Sequence, residues 1–325
     1  PWRMRRFILY VFLLLVFAQA CTQDRFDADI SGIEANVDIK RLDQDLFRFN
    51  SLSDTAVIDS LRQVYGSFFK LYNKQIIGIG GIDQQAYPNH LMTFITDFRV
   101  KMARQKTQEV FPEVTDLEEK LTQAFKHYKY YFPNKPVPDI YSMITGFSYS
   151  VVTDSAVVGI GLDRYLGRGY YFYGRLNWPE YLRYKMFEEK IPSDVMQAYA
   201  MMEFPYNDST DNLINRMIYQ GSIKYFTKAM LPRQPDSLIF AYSKKEMEWS
   251  IDNESYIWSY FIEKKLLFSQ KQMIYKKYLE DAPFTTSFTK KAPPRLGVWL
   301  GYRIVQKYMK DHPEVSLADL MHIGR

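Results

Sequence analysis

Most of the chain carries apolar residues at helical spacing. Residues 54–73 bring an apolar side chain to one face at every third or fourth position, which predicts an amphipathic helix. The predicted inward residues of this helix are Val57, Leu61, Val64 and Phe68. Further helices are predicted over residues 91–102 and 115–132, and the second of them opens with the capping-box sequence Thr115-Asp116-Leu117-Glu118. The spacing therefore predicts a helical first third of the chain.

Between residues 141 and 162 the period changes from helical to alternating. Apolar and aromatic side chains occupy every second position from Tyr141 to Tyr149, as they do along a strand. Thr153-Asp154-Ser155 can turn the chain, and the apolar run 157–162 then returns. A shorter alternating stretch covers residues 37–42. These patterns predict a small antiparallel sheet built around one hairpin.

From residue 193 onward the spacing is helical again. Helices are predicted over residues 193–204, 210–231, 243–267 and 294–309. The stripe predicted for the third of these is Met247, Ile251, Trp258, Ile262 and Leu266. In the fourth, Gly297 and Gly301 share one face, where a neighbouring helix can approach closely. We therefore expect an α+β fold, predominantly helical, with the small antiparallel sheet packed on a helical bundle.

The first twenty residues are typical of a secretion signal. Met4 is followed by Arg5 and Arg6 and by an apolar run over residues 7–17, which is too short to span a bilayer. The sequence Ala18-Gln19-Ala20 then leads to Cys21, the place at which a lipoprotein is cleaved and acylated. We predict a signal peptide over residues 1–20 and lipid attachment, palmitate included, at Cys21. Residues 21–36 are predicted to be a tether.

The remainder, 37–325, is predicted to be one globular domain. It has a helical and hairpin half, 37–167, and a helical half, 193–325. We expect it in the cell envelope, held on the inner or outer membrane by its lipid and facing the periplasm or the surface. Two or more acyl chains hold a protein stably on a bilayer.

Composition narrows the function classes. Beyond residue 20 the chain has 39 basic and 37 acidic residues, a balance too even to predict nucleic-acid binding. Cys21 is the only cysteine, so no internal disulfide can form and the fold depends on burial. Aromatic residues make up 17% of the chain, and tyrosine suits half-buried sites and binding surfaces.

Residue inventory argues against several kinds of active site. The chain has four histidines, and none lies four residues from another, so an HExxH zinc helix is ruled out. The segment 146–150 begins like a serine-nucleophile elbow but lacks its second glycine. No catalytic residue, metal ligand or cofactor is predicted.

Two chemical alternatives stay open. Acidic pairs such as Glu188 with Glu189, or Glu246 with Glu248, can act in a carboxylate-dependent hydrolase of peptides or glycans. The aromatic run that contains Tyr170, Tyr171 and Tyr173 can stack on sugar rings, which makes a glycan a possible partner. The same run is also typical of aromatic packing in a core or loop, and we favour that interpretation.

Several segments, in order along the chain, resemble the GldB family of gliding-motility lipoproteins from the Bacteroidetes. They are IKRLD at 39–43, GIGLDRYLG at 159–167, EFPY at 203–206, RMIYQG at 216–221, NE at 253–254 before Trp258, APF at 282–284 and PRLGVWLGY at 294–302. The resemblance covers nearly all of the chain after the signal peptide. It implies an envelope component linked to gliding and to type IX secretion.

The family in turn looks like a distant relative of zinc metallopeptidases that has lost its metal site. The resemblance implies a zincin-like fold in which the 193–204 helix replaces the zinc helix, with Asp194 and Gln197 where metal ligands would stand. On the next helix, Gln220 and Gly221 replace the Glu-Gly of peptidases, and an amide supplies no anionic ligand. The implied role is therefore non-catalytic binding to envelope proteins. A hydrolase and a glycan-binding lipoprotein are the alternatives.

Overall fold

The sheet of this protein is mixed. A computed structural model describes residues 26–154, 156–207, 209 and 211–322; the predicted signal peptide and Cys21 lie outside these residues. The strands are β1 (Ile39–Arg41), β2 (Asp139–Met143), β3 (Val151–Asp154) and β4 (Val157–Gly161). Their spatial order is β1-β2-β4-β3; β2 runs parallel to both β1 and β4, and β3 is antiparallel to β4.

The predicted hairpin is correct in its turn and wrong in its first strand. The alternating run beginning at Tyr141 ends as a strand at Met143, because the backbone turns through positive φ angles at Gly146 and Phe147. The segment that pairs with β4 in the hairpin is therefore Val151–Asp154, and β2 joins the other edge of β4 in parallel. The α+β, predominantly helical fold class is confirmed, but the purely antiparallel sheet is not.

The helices of the first half follow the predicted positions with two adjustments. They are α1 (Leu42–Asp45), α2 (Thr55–Leu71), α3 (Tyr87–Thr96), α4 (Phe98–Val110) and α5 (Thr115–Tyr131). Asp97 splits the second predicted helix, since its carboxylate accepts from the N–H groups of Arg99 and Val100 and starts α4 there. In the predicted capping box, Glu118 instead accepts from the N–H of Ile39 at 2.8 Å and holds β1.

The helices of the second half run from α6 to α15. They are α6 (Tyr171–Arg175), α7 (Glu180–Arg183), α8 (Ile191–Glu203), α9 (Leu213–Met230), α10 (Asp236–Phe240), α11 (Lys244–Asp252), α12 (Glu254–Glu263), α13 (Gln272–Leu279), α14 (Leu296–Asp311) and α15 (Leu317–His322). The helix predicted over 243–267 breaks at Asn253. Ile257 and Phe261 are buried, whereas the predicted inward residues Ile251 and Ile262 are exposed.

Helices α9 and α14 cross at a pair of glycines. A Cβ added to Gly301 would overlap the backbone of Met217, and one added to Gly221 would overlap the backbone of Gly301. Gly297 faces the end of α13 at Tyr278 instead. The predicted close approach at Gly301 is confirmed, and the absence of a side chain is what permits it.

One hydrophobic core joins both halves of the described chain, and the predicted tether is partly packed on it. The ring of Phe26 is nearly buried, with its centroid 5.0 Å from that of Tyr225 on α9. Val37 is buried, and its N–H donates to Thr122 Oγ1 on α5 at 3.0 Å. The chain is therefore bound to the body from Phe26 onward, which leaves only residues 22–25 between the body and Cys21.

Candidate functional site

Four basic side chains meet around the N-terminal end of α8 and the middle of α9. We call Lys185, Lys190, Lys224 and Arg295 the basic cluster. The side chain of Lys190 is 3% exposed and Lys224 as a residue is 4% exposed, which is unusual for lysine. Two carboxylates, Asp194 and Asp281, pair with members of this cluster. The described site therefore has more cationic than anionic groups in a largely buried place.

Lys224 is fixed by neutral acceptors. Its Nζ donates to the Oε1 of Gln197 on α8 and, at 3.0 Å, to the carbonyl oxygen of Ile239 on α10. Gln197 is itself oriented because its Nε2 donates to the Ser193 carbonyl oxygen at 2.8 Å. Burial, with the positive charges of Lys190 and Arg295, lowers the pKa of Lys224 well below its usual value. The ammonium form is therefore held at a cost in free energy.

Lys190 is paired with a carboxylate. Its Nζ donates to Asp194 Oδ1 at 2.5 Å and to Ser193 Oγ at 2.8 Å. The other oxygen of Asp194 accepts from the hydroxyl of Tyr165 at 3.0 Å. Burial lowers the pKa of Lys190, and the charge of Asp194 opposes that shift. Asp194 is thus occupied on both of its oxygens.

Arg295 links the cluster to α14. It precedes the first turn of that helix in a left-handed conformation, with φ of 56°, which few residues other than glycine and asparagine adopt. Its Nε lies 3.2 Å from Asp281 Oδ1, and its Nη2 donates to the Phe240 carbonyl oxygen at 2.5 Å. Lys185 also pairs with Asp281. Burial alone would raise the pKa of Asp281, but the charges of Arg295 and Lys185 hold it below its usual value.

A groove of about 1150 Å³ opens beside this ion-paired edge. Lys185, Asp281 and Arg295 line it, together with the aromatic residues Tyr184 and Trp249. The remaining walls include prolines and charged side chains of both signs: Glu180, Lys245, Glu246, Glu248, Asp252, Pro283, Lys290, Lys291 and Pro294. The groove therefore offers aromatic surface and charged groups of both signs to a binding segment.

Two of the predicted hydrolase carboxylates, Glu246 and Glu248, line this groove and have structural partners. The carboxylate of Glu246 accepts from the N–H of Ser243 at 2.7 Å and completes the capping box of α11. Glu248 lies 3.9 Å from Lys244 on the exposed face of the same helix. Neither residue forms a converging pair with the other, because residues two apart on a helix do not face each other.

The four residues predicted at the degenerate site separate into two pairs. Asp194 and Gln197 come together on α8 and both contact lysines of the basic cluster. Gly221 packs against Gly301, so it serves the helix crossing, and Gln220 is half-buried on the same helix. The sequence interpretation missed Lys190, Lys224 and Arg295. The signal that was available is Lys224 itself, since it stands inside the apolar run Ile223-Lys224-Tyr225-Phe226.

The predicted aromatic surface is mostly interior. Tyr173 is buried; its hydroxyl donates to the Asp163 carbonyl oxygen and accepts from the N–H of Leu166, both at 2.9 Å. Tyr170 is also buried, and its hydroxyl donates to the Met102 carbonyl oxygen at 3.1 Å. Tyr171 alone of the three is exposed, at 57%. Core packing is the correct interpretation for Tyr170 and Tyr173, which cannot stack on a sugar.

Buried carboxylates of the sheet half shape loops. Asp163 accepts from the N–H groups of Thr145 and Phe147, at 3.0 and 2.6 Å, and fixes the turn after β2. Burial raises its pKa to about 6. Asp43 accepts two hydrogen bonds from Arg41, both at 2.8 Å. Within the described residues, no three His, Cys, Asp or Glu side chains gather as a metal site requires.

Three comparisons with known proteins complete the description. The family model described as "Gliding motility protein GldB" matches residues 23–324 of this chain. No curated protein and no solved structure matches it. The zincin-like character of the fold therefore stays a prediction. In the described part of the chain, no helix combines the length and apolar composition that crossing a bilayer requires.

Proposed function

Because the chain belongs to the GldB family of gliding-motility lipoproteins, we propose that it is a lipid-anchored, non-hydrolytic component of the cell envelope that acts by binding protein partners. The family places it with gliding motility. The anchor at Cys21, the lack of catalysis and the mode of action are parts of the proposal.

The observation that carries the non-hydrolytic part is the pairing of lysines with the two α8 residues of the predicted degenerate site. Lys190 occupies Asp194 and Lys224 occupies Gln197. Zinc sites in proteins use thiolates, imidazoles and carboxylates; here the one carboxylate of the two residues is already paired with Lys190, and the amide of Gln197 supplies no anionic ligand. These residues do not fit a catalytic metal. They fit a buried cationic centre that joins α8, α9 and α10.

The groove beside Arg295 supports the binding part. Protein interfaces are enriched in arginine, tyrosine and tryptophan, and this groove presents Arg295, Tyr184 and Trp249. Behind it the basic cluster has four cationic groups against the two carboxylates Asp194 and Asp281. Of these groups, Lys185, Arg295 and Asp281 line the groove itself, among further charged side chains of both signs. The partner that fits best is therefore an envelope protein with a segment that carries charged and aromatic or apolar side chains.

The test uses matched lysine variants in the source cells. Lys185→Gln removes a groove cation, whereas Lys106→Gln removes a lysine of α4 that pairs with Glu109 at 2.9 Å. We expect Lys185→Gln to impair surface spreading or protein export at normal protein levels, and Lys106→Gln to behave as wild type. Equal behaviour of the two variants would contradict a role for the groove.

A photocrosslinking side chain identifies the partner in the same cells. Placed at Tyr184, in the groove, it should give one discrete crosslinked product that Lys185→Gln abolishes. Placed at the exposed Tyr149, it should give none of that product. The same product from both positions would show that the groove does not select the partner.

The anchor has its own test. Labelled palmitate should enter the wild-type protein, and Cys21→Ser should remove all of the label because Cys21 is the only cysteine. Failure of the wild type to take up label would refute the anchor and leave the groove hypothesis standing.

A further inference from the structure

The segment after α12 exposes large apolar side chains between lysines. Over residues 262–273, which we call the basic-apolar segment, Phe268 is 77% exposed and Met273 78% exposed. Ile262, at the end of α12, is exposed as well. Three exposed lysines, Lys264, Lys265 and Lys271, lie among them, against the single acid Glu263. In water this arrangement leaves apolar surface unburied, so it points to a contact outside the domain.

The shape of this segment is fixed. Leu266 donates its N–H to the Phe261 carbonyl oxygen at 3.0 Å, and Lys265 adopts a left-handed φ of 54°, which together end the helix in a Schellman-type turn. A glycine fills that position more easily, yet the chain has a lysine there. The segment is then pinned to the start of α9, because Leu213 and Ile214 donate to the carbonyl oxygens of Ser269 and Leu267 at 2.9 and 2.8 Å.

The pinned segment is joined to a groove in which the described chain begins. Ile214 lines a groove of about 1190 Å³ that Phe26 and Trp258 also line. The ring of Phe26 is fixed against Tyr225 in that groove. Phe26 and the basic-apolar segment are thus connected through Ile214.

The short tether then keeps the groove around Phe26 close to the membrane. Cys21 precedes Phe26 by five residues, and an extended chain covers at most about 3.6 Å per residue, so Phe26 lies within roughly 18 Å of the lipidated residue. This step rests on the proposed anchor. With so short a connection, Phe26 and the groove around it stay near the bilayer.

We propose that the basic-apolar segment is a second membrane contact, with Phe268 and Met273 inserted at the interface and the lysines at the phosphates of anionic lipids. Aromatic and aliphatic side chains with flanking lysines are typical of surfaces that lie in the interface of a bilayer. Lysines extend their charged ends toward the headgroups while their stems cover apolar surface. Basic residues near an anionic leaflet are attracted to it. The contact fixes which face of the body points away from the membrane.

The experiment uses the full chain in vesicles of phosphatidylethanolamine and phosphatidylglycerol. If Cys21 is acylated, a new cysteine is the only free thiol, and an environment-sensitive fluorophore can be placed at Phe268→Cys. Phe98→Cys is the matched control, since Phe98 is a 60% exposed phenylalanine on α4. Both positions are exposed, so the variants should melt like the wild type.

We expect the probe at position 268 to shift its emission to the blue and to be quenched by lipids with nitroxide-labelled acyl chains. The probe at position 98 should stay as in water. Quenching should weaken in phosphatidylcholine vesicles.

A water-like probe at 268 would overturn the proposal, and so would a blue shift without lipid quenching, which would indicate a protein contact. Labelling of the wild-type chain itself would show a free Cys21 and refute the anchor together with this inference. An unlabelled wild type with no quenching at 268 would refute the membrane contact alone.

Discussion

Buried charges in the two halves of this protein are satisfied in different ways. In the sheet half, Asp163 accepts two backbone N–H groups and the hydroxyl of Thr145, all within one loop. In the helical half, Lys190 pairs with Asp194 on the helix that it precedes, whereas Lys224 connects α9 to α8 and α10 through two neutral acceptors. The Asp163 carboxylate, which follows β4, thereby shapes the neighbouring loop after β2. A surplus of buried basic groups on the helices costs stability instead.

The largest loss in the free energy of unfolding should come from a substitution in the hydrogen-bonded core of the sheet half. Tyr173→Ala removes a fully buried ring and both hydrogen bonds of its hydroxyl, and we expect it to lower the free energy of unfolding by about 4 kcal/mol. Tyr171→Ala, two residues earlier and exposed, should change it by less than about 0.5 kcal/mol. Urea unfolding of the purified variants measures both. Equal losses would mean that the interior placement of Tyr173 is wrong.

The second-largest change in stability should come from Asp163, and it depends on pH. Its pKa is raised from 3.8 to about 6 in the folded protein. As pH falls through 6 the folded state therefore takes up a proton before the unfolded state does, so stability rises toward pH 3.8. Relative to Asp163→Asn, the wild type should gain up to about 3 kcal/mol over that window. Urea unfolding at pH 7, 5 and 4 tests this; a wild-type stability that falls relative to the variant would contradict it.

The contribution of Lys224 to folding stability should depend on pH in the opposite sense. Its substitution should also change stability at neutral pH the least of the three. Its pKa is lowered on folding, so the folded state loses its proton first and stability rises as pH increases from the folded pKa toward 10.5. Lys224→Met keeps the volume and removes the charge. We expect it to change stability at pH 7 by no more than about 1 kcal/mol, since desolvation and lost hydrogen bonds offset each other.

The same variant should also lose the wild-type rise in stability between pH 7 and 10. Thermal melts across that range measure it. A loss of several kcal/mol at pH 7 would show that the ammonium group is a structural requirement, comparable to the carboxylate of Asp163.

Local patterns in the sequence predicted those parts of the fold that depend on local physics. The helix start at Ser243 and the close packing at Gly301 were predicted from residue type and spacing, whereas the capping box predicted at residues 115–118 was wrong, because Glu118 binds β1. The pairing of β2 with β4 is parallel and skips β3, so no adjacent turn signals it. The stripe through Ile251 and Ile262 was wrong because Asn253 interrupts the helix and changes which face is inward.

About half of the candidate site could be predicted from the sequence. Asp194 and Gln197 were found through the family resemblance, which marked α8 as the informative helix. Their lysine partners were not, because Lys224 lies 27 residues from Gln197 and a lysine is ordinarily exposed. Arg295 lies still farther along the chain from α8, and only the folded chain brings it beside Lys185 and Asp281.

We propose that lysines, and not a metal ion, occupy the centre between α8 and α9. The decisive measurement is the zinc content of the full-length protein, purified without chelators and dialysed against zinc buffered at micromolar concentration. We expect less than about one zinc per ten chains and no zinc-dependent rise in melting temperature. One tightly held zinc per chain, lost on Asp194→Ala, would contradict it.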